Sequence, residues 1–176
     1  MPNTEPAVDS VETLRAAITG ERHGVQLFSI AAATVGRAGT QVSDVAALVK
    51  AGAVAISDDG SPIADRAIFR AALLAAATAG IPLIEHCEEP SLTAGGEAAD
   101  GIVASRLGLR PWPAAGEMRA VESAIAVLRD VAASTPTARL HLTHLSTAAA
   151  LATVRAAQGE GLPLTCDVTP HHIAVT

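Results

Sequence analysis

The sequence predicts an α/β protein, a parallel sheet of about five strands alternating with helices and forming part of a (β/α) barrel. Three observations predict it. Short apolar runs alternate with alanine-rich helical stretches along nearly the whole 176-residue chain. The connections between runs have helical length, which parallel strands need and hairpins do not. The metal-ligand residue types gather at the far ends of the apolar runs, where chemistry collects in parallel α/β proteins. A doubly wound sheet is the alternative, and the placing of these polar residues favours the barrel.

The elements follow in order. A helix is expected over Asp9–Thr19, with Asp9 or Ser10 as its cap and Glu12 in its first turn. Val25–Thr34 reads as a strand, and Gly36 and Gly39 loosen the way to a helix over Ser43–Ala51 capped by Ser43. Ala53–Gly60 is a strand and turn, Ala64–Thr78 a helix, and Pro82–Glu89 the next strand. A longer loop containing Gly95 and Gly96 leads to a helix over Ala98–Leu107. The stretch LRPWPAAGE breaks the pattern before a helix over Glu117–Ala133. Arg139–Ser146 is a strand, Thr147–Gly159 a helix, and the run from Leu162 through His172 a final strand. Residues 1–176 read as a single domain, with no repeat of fixed period and no low-complexity linker.

Composition removes whole classes of function. With 49% hydrophobic and 17% charged residues and a net charge of −6, the chain reads as a mildly acidic globular protein. It lacks any basic run, and aromatic residues make up 2%, so nucleic-acid binding has no footprint. No apolar stretch has the length and freedom from charge to span a bilayer, and no signal region follows Met1. Cys87 and Cys166 fall inside expected strands without paired spacing, which suits reduced thiols and a cytoplasmic location. There is no G-x-S-x-G, P-loop or G-x-G-x-x-G, so acyl-serine, nucleoside triphosphate and dinucleotide chemistry lack support.

Four successive strand ends carry metal-ligand types: Asp58–Asp59, then Glu85 and His86 with Glu88, then His144, then Asp167 with His171 and His172. Of six histidines, only His23 lies outside the strand segments. Each has a plainer explanation. An Asp-Asp-Gly run is a common turn. A lone histidine in an apolar strand is commonly a hydrogen-bonded core residue, and His141, which alternates to the face opposite His144, fits that description. His171 and His172 follow Pro170 and could serve only to shape the strand exit. The weight lies in the four ends together, since strands converging at one barrel mouth bring them near each other. Imidazole and carboxylate ligands with open positions suit zinc-like ions and metal-assisted hydrolysis.

With those residues in hand, the chain resembles dihydroorotase of the bacterial type, in the amidohydrolase superfamily. The matching blocks are MPNT (Met1–Thr4), GAVAISDDG (Gly52–Gly60), EHCEEPSLTAGG (Glu85–Gly96), HLTHLST (His141–Thr147) and DVTPHHI (Asp167–Ile173), in the family's order. The resemblance implies a (β/α)8 TIM barrel with a zinc centre of one or two ions, about five of whose β-α units lie in this chain. It implies reversible hydrolysis of dihydroorotate to N-carbamoyl-aspartate in pyrimidine biosynthesis. It makes Asp59 the carboxylate bridging the metals, with Asp58 as the alternative, and His86 and His144 ligands of the second metal. Asn3 would hydrogen-bond the substrate carboxylate.

Hydantoinase and allantoinase, related cyclic amidohydrolases, place a carboxylated lysine where this chain has Ser-Asp-Asp, and the nearest lysine, Lys50, stands several residues too early. Two family motifs, H-x-H with a following arginine and D-H-A-P-H, are absent. The expectation is therefore an internal fragment, inactive and marginally folded alone, from a parent expected to be a homo-oligomer. A non-catalytic, dihydroorotase-like subunit of aspartate carbamoyltransferase is the competing expectation from another class.

Overall fold

The structure is a computed structural model that describes residues 1–19 and 24–174; His23 lies outside the described residues. A parallel sheet runs through it, with strands β1 (Ser29–Ala32), β2 (Ala53–Ser57), β3 (Leu83–His86), β6 (Leu140–Thr143) and β7 (Leu164–Cys166). Between β3 and β6, β4 (Ala98–Ala99) and β5 (Pro111–Trp112) form a separate parallel ribbon. The five main strands lie side by side in chain order, every pair parallel. A doubly wound sheet needs a point where that order reverses. Here there is none, so the winding is that of a barrel.

The helices are α1 (Val11–Ile18), α2 (Val45–Lys50), α3 (Arg66–Ala79), α4 (Pro90–Thr93), α5 (Ile102–Leu107), α6 (Ala114–Ala132), α7 (Ala148–Gly159) and α8 (Pro170–Ala174). Their starts are chemically marked. Ser10, not Asp9, caps α1 in a capping box with Thr13, while Asp9 accepts the Gly36 N–H at 2.7 Å. Asp44 rather than Ser43 caps α2, Asp65 caps α3 and Thr147 caps α7. No helix among the described residues is long and apolar enough to cross a membrane.

Alternation along the strands splits the sheet into two faces. Leu83 and Glu85 of β3, Leu140 and Leu142 of β6, and Leu164 of β7 are buried. The four leucines pack with Leu73 of α3, Val121 and Leu128 of α6 and Val154 of α7 in one apolar cluster. Ile84, His86, His141 and Thr143 are half-buried, and Val54 and Thr165 exposed, so among the described residues no helix covers the other face. Burying a leucine or valine fully is worth roughly 1.5–3 kcal/mol, so the leucines decide which face the histidines take.

Several expected boundaries are corrected. The first strand is Ser29–Ala32 rather than Val25–Thr34, because its one strand partner among the described residues, β2, begins at Ala53 opposite Ser29, before which Val25, Leu27 and Phe28 stand exposed. Ala98–Ala99 bond to Pro111–Trp112 instead of starting a helix, so α5 is shorter than expected and part of the breaker is β5. The loop before it holds the short α4, and α6 begins at Ala114, ahead of Glu117. The last strand stops at Cys166. Pro170, which has no N–H to give a sheet, opens α8, and His171 and His172 lie on that helix.

Glu85 is the one fully buried acid on the helix-covered face among the strands just named, and it accepts the Ile63 N–H at 3.2 Å. Burial pushes its carboxyl from the ordinary 4.5 to about 8, against the Ile63 bond that lowers it and with help from the nearby Asp58 charge. Between these values folding takes up a proton, so the stability Glu85 contributes is complete below about 4.5 and is lost as pH rises through about 8. Glu85→Gln therefore gains stability over the parent progressively between about pH 5 and pH 8. Urea unfolding across that range checks it, and parallel curves for the two proteins contradict it.

Candidate metal centre

The turn after β2 separates two neighbouring acids. Asp58 is buried and accepts hydrogen bonds from the Thr34 N–H at 3.0 Å and from the Thr34 hydroxyl. Burial raises its pKa, opposed by those bonds and by Arg37. Its work is to tie the end of β2 to the segment after β1. Asp59 points the other way. Its N–H bonds Ser57 Oγ at 3.0 Å, and its backbone carbonyl receives the Arg37 guanidinium at 2.8 Å, so its carboxylate stands at the rim, facing Asn3 and His144. Gly60, at φ 76°, completes the turn in a conformation that suits glycine.

His86 ends β3 on the uncovered face. Its Nε2 lies 3.0 Å from Glu88 Oε2, and Thr93 Oγ1 donates to Glu88 Oε1 at 2.5 Å. An ionised carboxylate only accepts, so Nε2 carries the proton and Nδ1 keeps its lone pair. That lone pair faces His144 Nε2, 3.0 Å away, with the two rings edge to face at 74°. His144 Nε2 is in turn 3.4 Å from Asp59 Oδ1. One donor atom from each of Asp59, His86 and His144 lies within 4.8 Å of the others. Two imidazoles and a carboxylate at that spacing, one ring braced from behind by an acid, are a donor set that fits a zinc-class ion.

His144 reaches this point by breaking the strand period. Its φ is 45°, a conformation that costs a side-chain-bearing residue about 1–3 kcal/mol. Strict alternation would have sent residue 144 to the face of Leu142; instead Leu145 takes the buried position at 1% exposure. His141 is not a core residue on an opposite face. It stands on the uncovered face, with Nε2 3.0 Å from Asp167 Oδ2 and Nδ1 2.8 Å from Thr165 Oγ1. Partial burial pulls Asp167 upward, but hydrogen bonds from the His144 N–H, His141 and Thr143 outweigh it and hold the carboxyl below its ordinary range.

The remaining sequence-derived residues fall as follows. Asn3 is exposed and its Nδ2 lies 3.4 Å from Asp59 Oδ2. Lys50 ends α2, exposed and outside the cluster. His171 is exposed on α8. His172 accepts the Thr169 N–H at Nδ1, 3.1 Å, so its Nε2 carries the proton in the neutral ring and reaches Ser146 Oγ at 2.9 Å. Sequence reasoning did not single out Thr34, Arg37, Thr93 or the reach of Glu117, because each acts on residues far away in the chain. Beside the cluster opens a cleft of about 500 Å³ lined by His86, Glu88, Asp100, Trp112, Glu117 and His144 among others.

Strands in chain order, one helix-covered face, and two histidines with an aspartate gathered beyond the strand ends define part of a barrel with a candidate metal centre at its rim. The comparisons narrow this. Residues 1–150 match the family model described as dihydro-orotase-like, and the chain belongs to that family. It is 40% identical over 178 residues to the dihydroorotase of Solibacter usitatus, covering 99% of this chain and 40% of that protein. The dihydroorotase of Elusimicrobium minutum is 36% identical over 178 residues, with 100% and 40% covered. The chain thus spans about two fifths of the length of these curated relatives. Among solved structures, L-hydantoinase from Arthrobacter aurescens superposes with a TM-score of 0.72 at 18% identity, over 100% of this chain and 40% of that one. Dihydroorotase from Saccharomyces cerevisiae superposes with a TM-score of 0.63 at 14% identity, over 100% and 49%. At such identities the likeness is one of fold, and it is the fold of amidohydrolase barrels.

One glycine carries a steric prediction. A Cβ at Gly116, on α6, would stand 2.4 Å from Thr93 Cγ2, and Thr93 is the residue that holds Glu88 behind His86. Gly116→Ala is expected to cost about 1–3 kcal/mol of stability. It should also shift the His86 ring resonances in NMR spectra, and an unmoved His86 would show that the link through Thr93 and Glu88 does not orient the ring.

Proposed function

We propose that the protein carrying this chain is a zinc-dependent dihydroorotase, hydrolysing the cyclic amide of dihydroorotate reversibly to N-carbamoyl-aspartate in pyrimidine biosynthesis. The chain forms part of its single catalytic barrel. The observation that carries the reading is the meeting of Asp59, His86 and His144 from three separate strand ends, within a sequence 35–40% identical to proteins named dihydroorotase. Asp59 Oδ1, His86 Nδ1 and His144 Nε2 are the atoms that would hold the ion. A zinc-class ion there supplies water ionised near neutral pH and a polarised carbonyl.

The chain's own groups supply binding and orientation. Asn3 carries two amide hydrogens, and one remains for a substrate carboxylate when the other faces Asp59. The cleft of about 500 Å³ beside the rim has room for a small ring. Glu88 fixes the tautomer of His86, so its lone pair does not depend on the ion's arrival. An aspartate at the rim, with Lys50 remote from it, supports dihydroorotate over the substrates of lysine-bearing relatives. The retention of three donors in ligand geometry supports an enzyme rather than a scaffold for aspartate carbamoyltransferase. This reading includes residence in the cytoplasm, where Cys87 and Cys166, both free thiols, stay reduced.

The test uses the intact protein. His144→Ala and Asp59→Ala are expected to lower bound zinc and to reduce dihydroorotate hydrolysis by about 100-fold or more, whereas His141→Ala retains most of its zinc. Metal analysis beside a hydrolysis assay reads both quantities. Equal zinc loss in all three variants would refute the assignment of ligands, and full turnover in His144→Ala would refute the metal reading itself.

A further inference from the structure

The segment that carries His144 has no regular structure between the end of β6 and the start of α7, yet each of its backbone N–H groups is engaged. The His144 N–H donates to Asp167 Oδ1 at 2.5 Å and the Leu145 N–H to the Asp167 carbonyl at 3.0 Å. The Ser146 N–H donates to Glu117 Oε1 at 2.7 Å and the Thr147 N–H to Glu117 Oε2 at 2.8 Å. Four consecutive donors thus end on two acidic residues, one after β7 and one on α6. Thr147 Oγ1 adds a bond to Glu117 at 2.6 Å.

We propose that Asp167, seconded by Glu117, is a positioning residue that holds His144 in the left-handed backbone conformation which turns its imidazole toward His86 and Asp59. The inference rests on the metal reading above and adds to it the device that aims one ligand. A side-chain-bearing residue at φ 45° is strained and persists only where its surroundings hold it. Asp167 does so, and it is fixed in turn by Thr143 Oγ1 at 3.1 Å, by His141 Nε2 at 3.0 Å and by its own N–H on the Leu142 carbonyl at 3.2 Å. His141 is one of three such contacts, so without it Thr143 and the Leu142 carbonyl still hold Asp167.

The same geometry separates aiming from folding. The Asp167 side chain is 50% exposed, so its removal opens no cavity. The two backbone bonds of residue 167, to Leu142 and from Leu145, survive any substitution other than proline. Loss of the carboxylate should therefore release the His144 amide and leave the sheet intact.

In the intact protein, zinc affinity by chelator competition, hydrogen exchange of the His144 amide and melting of the metal-free form are compared for Asp167→Ala, Asp167→Asn and His144→Ala. Asp167→Ala is expected to weaken zinc about 10–100-fold and to speed exchange at His144, with the metal-free melting temperature within a few degrees of the parent. Asp167→Asn keeps an acceptor oxygen and should restore most of both; if Asp167→Ala does not fold, Asp167→Asn and the exchange at His144 in the parent decide. A protected His144 amide in Asp167→Ala overturns the proposal, as does a zinc loss that asparagine fails to restore, which would assign the effect to charge. Zinc weakened by His144→Ala alone overturns it while the metal reading stands. Zinc unaffected by His144→Ala removes both.

Discussion

The apolar seam between one face of the sheet and helices α3, α6 and α7 sets the phase of everything else. Leu83, Leu140, Leu142 and Leu164 must enter it, and a pleated strand that turns its leucines to the helices turns the intervening residues away from them. Ile84, His86, His141 and Thr143 owe their place on the uncovered face to that requirement. Because the strands are parallel and in chain order, the residues just past their ends share one rim. Three side chains far apart in sequence then come together without any one of them having to seek the others.

The acids of this rim come in neighbouring pairs with divided work. In Asp58–Asp59 the first is buried and bound by Thr34, the second faces His144 at the rim. In Glu85 and Glu88 the first sits among the helices on Ile63, the second stands behind a ring nitrogen of His86. Burial raises the pKa of both inner acids, and Glu85 is pushed further up by the Asp58 charge, to about 8. Beneath the centre Glu85 therefore carries its proton near neutral pH and adds little negative charge.

Much of this was legible in the sequence, for identifiable reasons. β3 and β6 alternate cleanly, so their strands and the side of His86 follow from pattern alone. The Asp-Asp-Gly and His-Leu-Ser-Thr blocks pointed to the residues that meet. What pattern does not encode is a backbone that leaves its period. His144 at φ 45° defeated the alternation argument and with it the contrast drawn with His141. Val25–Phe28 are apolar enough for a strand, but pairing needs a partner and β2 starts too late to provide one. Asp167 and Glu117 were visible as acids, one at a strand end and one near a helix start, but their acceptors' partners lie about one or two elements away. Only contacts of that range reveal them.

The bonds from Asp167 to the His144 segment also impose an order in time. Ribosomes deliver residue 144 before residue 167, so the stretch that bears this imidazole emerges with its amide unclaimed. Its shape is settled only when the following β-α unit has docked and presented Asp167. A growing polypeptide therefore acquires a finished rim late, after the sheet beneath it has assembled.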